Sequence, residues 1–243
     1  MVDFKGLESE SITVVDAIRN TKKLKRGAIK LNKFEITMRN LKGDLGDIEE
    51  RIHLVKERGV PNYFGAQRFG SNENNLLNAK ILFSGKIKCS RNKKSIYLSA
   101  ARSFLFNKIL SQRVTDKTWN TLLDGDIVSL NASRSFFTIK NIDTDLQSRL
   151  TQGDIHPSAA LWGKGNLATQ FKVKKLEENI INSNLEFADG LVKQGLQQDR
   201  RATRLLVPDL EYHLNDDSLK LTFSLPSGAY ATCVLREILE VSE

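Results

Sequence analysis

The sequence predicts an α+β protein in which a sheet domain is interrupted by a mainly helical α/β insertion domain. Apolar and polar residues alternate near both ends of the chain, in residues 33–39 and 219–225, whereas the residues between them show mainly helical spacing. Because strands that are distant in sequence can pair in one sheet, we expect one discontinuous domain, residues 1–87 with 205–243. Residues 88–204 would form the insertion.

The amino-terminal part is predicted to contain strands followed by a helix. Period-two alternation predicts strands over Ile12–Val15 and Lys33–Arg39. Apolar residues then recur on one helical face over Leu45–Arg58, a helix that Asp44 or Asp47 would begin. The Gly-Val-Pro that follows this segment cannot continue a helix, so a loop is expected there.

The rest of the chain is predicted to contain further helices and two hairpins. Helical spacing of apolar residues predicts helices at about residues 74–83, 95–114, 143–150 and 171–182. Asp124-Gly125 separates two short apolar runs, Leu122-Leu123 and Ile127-Val128, and so predicts one hairpin. A second hairpin is expected to turn at Asp216-Asp217, and an amphipathic helix over about residues 229–239 follows it.

The composition is that of a folded, basic protein. Of the 243 residues 40% are hydrophobic and 27% are charged, and the formal net charge is +8. A basic chain favours a polyanionic partner, with a generally solvated surface as the alternative. Cys89 and Cys233 do not have disulfide or zinc spacing, and no membrane-length apolar run or signal peptide is found. We therefore expect a cytoplasmic protein with no metal, no cofactor and no membrane partner.

Two stretches concentrate the positive charge. Residues 22–42 contain eight basic residues and one acidic residue, and residues 86–113 contain eight basic residues and no acidic residue. Such stretches predict surfaces that contact nucleic-acid phosphates, with two solvated faces as the alternative, and charge does not distinguish RNA from DNA. For Arg102, helix packing or phosphate contact is favoured over a role in the chemistry. The residues expected to contact phosphates here are Lys22, Lys23, Lys25, Arg26, Arg91, Lys93, Lys94 and Arg102.

Residues 59–70, which read GVPNYFGAQRFG, combine aromatic side chains with an amide, an arginine and glycines. An unstacked nucleobase is received by such a set, because a ring stacks on the base, an amide reads its edge and a cation meets the phosphate. Arg68 is the cation expected to contact RNA. An aromatic-rich turn of the core is the alternative on physical grounds alone.

The loop resembles the signature of the D (TruD) family of tRNA pseudouridine synthases, which isomerise a uridine in tRNA. Residues 22–34 (KKLKRGAIKLNKF) are similar to a second family motif, although Leu31 stands where a glycine is usual. Residues 98–107 (LSAARSFLFN) resemble the helix that opens the family's insertion domain, and LPSGAYAT with Arg236-Glu237 resembles its final motif. The four segments occur in the family's order from about residue 20 to the end.

This resemblance implies a mixed sheet domain of the pseudouridine-synthase type, truncated at its amino-terminal side and interrupted by a TRUD-type insertion domain. It implies that Asn62 and Phe64 help hold the flipped uridine, with Tyr230 close to the pocket. Arg236 would support the catalytic carboxylate, or else be a surface or capping residue of the terminal helix. The implied partner is tRNA, and the implied target is the uridine at position 13.

The sequence departs from the family at the catalytic aspartate. The family carries this residue in a G-x-K-D-[RK]-x-A motif before the matched region, and no such motif occurs here. The nearest approach, Asp199-Arg200-Arg201-Ala202, lacks the glycine and the lysine, and we expect Asp199 to lie on a helix surface. The chain alone would then be inactive and would expose an unpaired sheet edge. A separately encoded amino-terminal half, a displaced start or frameshift, and a decayed gene remain open.

Two functions compete at this point, a tRNA pseudouridine synthase that a missing segment completes and a tRNA-binding protein without catalysis. They differ in whether a carboxylate reaches the pocket of Asn62 and Phe64. A DNA-binding regulator is disfavoured because no helix-turn-helix or zinc pattern occurs. His53, His156 and His213 are isolated and are expected to be structural or exposed.

Overall fold

The computed structural model of the chain describes residues 29–131, 133 and 135–240, together with residues 19, 21 and 23. Two units are distinguished, Met1–Lys30 and Leu31–Glu243, and every element below belongs to the second. The strand expected at Ile12–Val15 lies outside the described residues, as do the predicted phosphate contacts Lys22, Lys25 and Arg26.

The second unit contains strands and helices throughout its length. Its strands are β1 (Leu31–Arg39), β2 (Val60–Pro61), β3 (Ile127–Leu130), β4 (Phe136–Thr138), β5 (Ile155–Leu161), β6 (Asp199–Ala202), β7 (Arg204–Leu205), β8 (Glu211–Leu214) and β9 (Ser218–Pro226). Its helices are α1 (Leu45–Arg58), α2 (Asn74–Phe83), α3 (Arg91–Thr115), α4 (Thr144–Thr151), α5 (Phe171–Asn182), α6 (Leu185–Lys193) and α7 (Ala231–Ile238). The predicted α+β class is confirmed.

The first sheet joins the two ends of this unit, as their alternating patterns predict. Its strand order is β1-β9-β8, and both pairings are antiparallel. Phe34 lies opposite Phe223, and the two rings stack with centroids 5.5 Å apart. Alternate residues of β9 are fully buried and form one core with Ile52 of α1 and Val234 of α7. Helices therefore cover one face of the sheet.

The second sheet has the antiparallel order β4-β3-β5-β6. The prediction of a hairpin turning at Asp124-Gly125 is wrong, because β3 begins only at Ile127 and pairs with β4. The earlier segment is a turn instead. The carboxylate of Asp126 accepts hydrogen bonds from the backbone N–H of Leu123 (2.9 Å) and from Arg113 (2.7 Å), which fixes the turn beside α3.

The predicted helices are confirmed, with differences at their ends that capping explains. Helices α1, α2 and α5 have the predicted bounds, and Asp44 caps α1 by accepting a hydrogen bond from the backbone N–H of Gly46 (2.8 Å). Helix α3 begins four residues earlier than predicted, because Ser90 accepts from Lys93 N.

The expectation that Asp199 lies on a helix is wrong. Asp199 begins β6, which pairs with β5 from Ser158 to Leu161. The segment has no apolar alternation because each of its two faces carries an arginine, so no pattern reveals its strand character. Helix α6 is likewise absent from the sequence-based expectations.

One core crosses the predicted domain boundaries. Phe106 of α3 and Ala159 of β5 belong to the same buried cluster as Leu221 of β9. Among the described residues, no helix is both long and apolar enough to cross a membrane.

Candidate functional site

Residues 59–70, here called the aromatic loop, begin with a close approach of two backbones. Gly59 has a φ of +73°, and a Cβ at this position would lie 2.4 Å from the carbonyl oxygen of Leu205. The absence of a side chain lets β2 pair with β7, Val60 opposite Leu205. The loop is thereby held directly beside the end of β6.

Asn62 is buried and all of its polar atoms are bonded inside the protein. Its backbone N–H donates to Thr203 O (2.8 Å), and its side-chain Nδ2 donates to Ala202 O (2.9 Å). Its Oδ1 and its carbonyl oxygen accept from the guanidinium of Arg201, at 2.6 and 3.2 Å. These bonds fix the loop and orient Arg201.

Phe64 is held through its backbone by one side chain of α3. The Phe64 N–H donates to Asn107 Oδ1 (3.0 Å), and the Phe64 carbonyl accepts from Asn107 Nδ2 (2.9 Å). The half-buried ring meets Phe106 and Tyr230 edge-on, with centroid distances of 5.4 and 6.2 Å. The orientation of the Phe64 ring is therefore set by α3 and by the segment before α7.

Two arginines face the Phe64 ring. The Arg201 guanidinium carbon lies 4.1 Å from the ring centre, and that of Arg68 lies 5.3 Å from it. Burial lowers the pKa of Arg201 to about 10, and the neighbouring charge of Arg68 acts in the same direction. Arg201 still carries its charge at neutral pH.

The two arginines are anchored by different parts of the chain. Arg201 donates from Nη2 to Gly228 O (3.0 Å) in addition to its bonds to Asn62. Arg68 donates from Nε to Tyr230 Oη (3.0 Å) and from Nη1 to Ser99 Oγ (2.9 Å). The site thus joins the aromatic loop, β6, α3 and the segment before α7.

Tyr230, which the family resemblance places near the pocket, lies against the aromatic loop. A Cβ at Gly65 would come within 2.7 Å of Tyr230 Cδ1, so only glycine allows this packing. The tyrosine thus contacts both Arg68 and the Phe64 ring.

Arg236 lies at a different place in the fold. Its guanidinium is 4.2 Å from the centre of the Tyr63 ring, and its Nε is 3.5 Å from Glu237 Oε1. Together with Tyr63 and Ser111 it lines a cavity of about 270 Å³ that Phe64 does not line. The arginine that the structure places beside Phe64 is Arg201.

The other predicted RNA contacts fall into two groups. Arg91 and Lys93 are exposed at the first turn of α3, where positive charge opposes the helix dipole and so does not serve helix stability. Lys94 beside them is half-buried, and Lys23 is exposed. Arg102 instead donates to the carbonyls of Leu161 (2.9 Å) and Gln197, which favours its packing alternative.

Sequence reasoning misses Arg201 as a site residue. Its segment partly resembles the family's catalytic motif, and the sequence favours a helix there. In a strand, successive side chains point to opposite faces. Arg200 therefore pairs with the buried Glu177 (2.7 Å), whereas Arg201 reaches the aromatic loop.

A half-buried aromatic ring faced by two arginines is the arrangement expected of a protein that binds an unstacked base and its phosphates. Comparison with known proteins gives the family. The family model of tRNA pseudouridine synthase D (TruD) matches residues 2–89 and 87–238. The chain therefore belongs to the tRNA pseudouridine synthase D family, whose members are isomerases.

Curated relatives agree with this assignment. The chain is 45% identical to tRNA pseudouridine synthase D of Methylococcus capsulatus over 98% of its own length and 68% of the relative. It is 43% identical to that of Nitrosococcus oceani over 98% of its length and 67% of the relative. The crystal structure of a putative TruD from Methanosarcina mazei is 19% identical, has a TM-score of 0.76, and is matched over 99% of this chain and 76% of that chain. This last likeness shows the fold.

Proposed function

We propose that this chain carries the base-binding part of a tRNA pseudouridine synthase that acts on the uridine at position 13, and that its catalytic aspartate comes from a segment this sequence does not contain. Family membership supports the reaction class. The observation that carries the proposal is the Phe64 ring, which is held at its backbone by Asn107 and faced by two arginines.

The reaction breaks the bond between N1 of uracil and C1′ of the ribose and forms a bond from C5 to C1′. The detached base must stay in place while it turns, so the pocket has to hold it without a covalent link. Stacking against Phe64 does this, and Tyr230 closes the edge of the ring. Asn62 positions Arg201. Arg236, which lies over the Tyr63 ring, either supports the catalytic carboxylate or is a surface residue of α7.

A second candidate is a tRNA-binding protein without catalysis, or one half of a split enzyme. The specific observation in its favour concerns the carboxylate that the reaction needs. Within the part of the chain that the structure describes, no Asp or Glu forms an ion pair with Arg201 or Arg68. A separately encoded amino-terminal half would supply that group.

The domain division proposed from the sequence assigns residues 1–87 and 205–243 to the catalytic-type domain and 88–204 to the insertion. Two of the three sheets support it, since β1, β8 and β9 form one sheet and β3 to β6 form another, whereas the β2-β7 pair lies at the boundary itself. The shared core across α3 and β9 argues that the two parts fold together.

The test is conversion of uridine to pseudouridine in unmodified tRNA. The purified chain would be assayed alone and after addition of the segment of the Methylococcus capsulatus relative that precedes the matched region. We expect turnover only after addition, and its loss in Phe64→Ala. Phe171→Ala is the matched control, because Phe171 is 64% exposed and lies outside the site.

Each outcome separates the two candidates. Phe64-dependent tRNA binding with no turnover in either mixture would favour the non-catalytic protein. Turnover by the chain alone would show that a carboxylate within it completes the site. An absence of tRNA binding would contradict both candidates.

A further inference from the structure

The hydrogen-bond donors of the two site arginines are only partly used. Arg201 donates from Nε and Nη2, and Arg68 donates from Nε and Nη1. Within the described part of the chain, Arg201 Nη1 and Arg68 Nη2 make no hydrogen bond. Each guanidinium therefore keeps one terminal nitrogen, with two N–H groups, that has no hydrogen-bond partner among the described residues.

The charge of the pair is also uncompensated. A guanidinium taken out of water is stabilised mainly by an anion, whereas carbonyl oxygens and an aromatic face offset the lost hydration only in part. Among the residues that the structure describes, Arg201 and Arg68 have only such neutral partners. Two like charges beside one ring also repel each other, so an anion between them would stabilise both.

We propose that Arg201 and Arg68 together bind a backbone phosphate of RNA whose unstacked base lies against Phe64. The proposal rests on the proposed function, because it names the group of the tRNA that this site holds. A phosphodiester fits the pair because it carries two non-bridging oxygens, one for each guanidinium, and arginine forms bidentate bonds to such oxygens.

The surroundings favour a phosphate over a protein carboxylate. Arg68 is tied through Ser99 to α3, the helix whose first turn carries the exposed Arg91 and Lys93. The helix that anchors Arg68 therefore also carries exposed cations, and a nucleic-acid backbone offers a series of phosphates to such groups. The existing bonds of Arg201 to Asn62 and Gly228 fix its guanidinium in advance, which reduces the ordering needed on binding.

The experiment measures tRNA affinity of the whole chain as a function of salt concentration for the wild type, Arg201→Gln and Arg68→Gln. A lost phosphate contact weakens binding and lowers the slope of log affinity against log salt by about one. We expect this change in slope in both variants, with affinity about tenfold lower or more. Arg201→Lys, which keeps the charge, should retain most of the wild-type slope even if its fold is less stable.

Arg200→Gln is the matched control, since Arg200 precedes Arg201 on β6 but pairs with Glu177 on the opposite face. It should lower the melting temperature and leave the salt slope unchanged. An unchanged slope in Arg201→Gln, with only a lower melting temperature, would overturn the proposal. The proposal would also be overturned if Arg201→Gln kept the salt slope but abolished turnover in the complemented enzyme. That result would mean that Arg201 interacts with the catalytic carboxylate and not with a phosphate. Failure of the wild type to bind tRNA would instead overturn the proposed function.

Discussion

Asn107 connects α3 to the aromatic loop through two hydrogen bonds to Phe64. Asn107→Ala would leave the Phe64 N–H and carbonyl without these partners, so we expect the free energy of unfolding to fall by about 1–2 kcal/mol. Misplacement of the ring should weaken tRNA binding by about tenfold. Urea denaturation and a tRNA titration measure the two effects.

Two further variants make this prediction specific. Asn107→Asp keeps an acceptor for the Phe64 N–H but sets a carboxylate oxygen against the Phe64 carbonyl, so it should weaken tRNA binding at least as much as Asn107→Ala. Gln112 lies further along α3, and its side chain bonds Asp116 on the exposed surface. Gln112→Ala should therefore bind tRNA as the wild type does, and wild-type binding by Asn107→Ala would contradict the prediction.

At the residue scale, composition indicates the loop but not its partners. Three aromatics, two side-chain amides and an arginine within twelve residues are enough to suggest a base-binding loop. Arg201 cannot be found this way, because its role depends on which strand lies beside the loop. That neighbour is set by the pairing of β2 with β7, and a two-residue pairing leaves no sequence pattern.

At the scale of elements, α6 packs on α2 at a glycine. A Cβ on Gly190 would lie 2.3 Å from the ring of Phe83. Alanine in place of glycine ordinarily stabilises a helix by about 1 kcal/mol. Here we expect Gly190→Ala to destabilise the protein by about 1–3 kcal/mol, because the ring has to move. Thermal unfolding measures the sign of the change.

Gly46→Ala in α1 is the matched control, because its Cβ would come no closer than 3.2 Å to the Asp44 side chain. That variant should destabilise the protein less than Gly190→Ala does, because the contacting atom belongs to the exposed side chain of Asp44 and not to a packed ring. Combining Gly190→Ala with Phe83→Leu should recover part of the loss. A higher melting temperature for Gly190→Ala alone would contradict the packing described for α2 and α6.

The turn before β3 depends on a buried ion pair between Arg113 and Asp126, whose side chains are 1% and 0% exposed. Asp126→Asn leaves the buried arginine charge without its partner, so we expect a loss of about 3–5 kcal/mol in urea denaturation. Glu186→Gln, which breaks the exposed pair with Lys80 (2.9 Å), should change stability by less than about 1 kcal/mol. Equal effects of the two changes would contradict this assignment.

The sequence predicts those elements that bury only one face, because burial of one face produces a periodic pattern of apolar residues. Helix α1 and strand β9 each bury alternate or periodic residues against a single core, and both appear at their predicted places. Strand β5 is buried over nearly its whole length, and β6 carries arginines that satisfy polar groups, so neither shows a period of two. A strand whose two faces are both covered shows no periodic pattern of apolar residues.

At the scale of the whole molecule, the sheet domain and the insertion share a core that no sequence pattern could show. Each buried residue is recognisable as apolar, but the sequence does not show that residues of α3, β5 and β9 meet in one buried cluster. Four motifs in the order of the TruD family predicted the family from the sequence, and the comparisons confirm that prediction. The domain boundaries and the roles of Asn62, Phe64, Tyr230 and Arg236 stay predictions.

The shared interior also makes stability depend on pH through one histidine. His156 of β5 is buried, and its pKa is lowered from 6.5 to about 4, first by burial and then by the charge of Arg204. The unfolded chain takes up a proton at this residue near pH 6.5, whereas the folded chain stays neutral until about pH 4. His156 therefore costs no stability above pH 6.5 and destabilises the fold increasingly as the pH falls below it.

We expect His156→Gln to reduce this pH dependence. The contribution of the histidine grows by up to about 1.4 kcal/mol for each pH unit, reaching a maximum of about 3 kcal/mol near pH 4. Denaturant unfolding of the wild type and the variant at about pH 7 and about pH 4.5 measures the difference between them. The stability of the variant relative to that of the wild type should be higher at the lower pH, because only the wild type unfolds with uptake of this proton.

His213→Gln is the control, since His213 is exposed, and it should leave the pH dependence of wild-type stability unchanged. Parallel profiles for the wild type and His156→Gln would contradict the lowered pKa and place the proton on His156 in the folded protein as well.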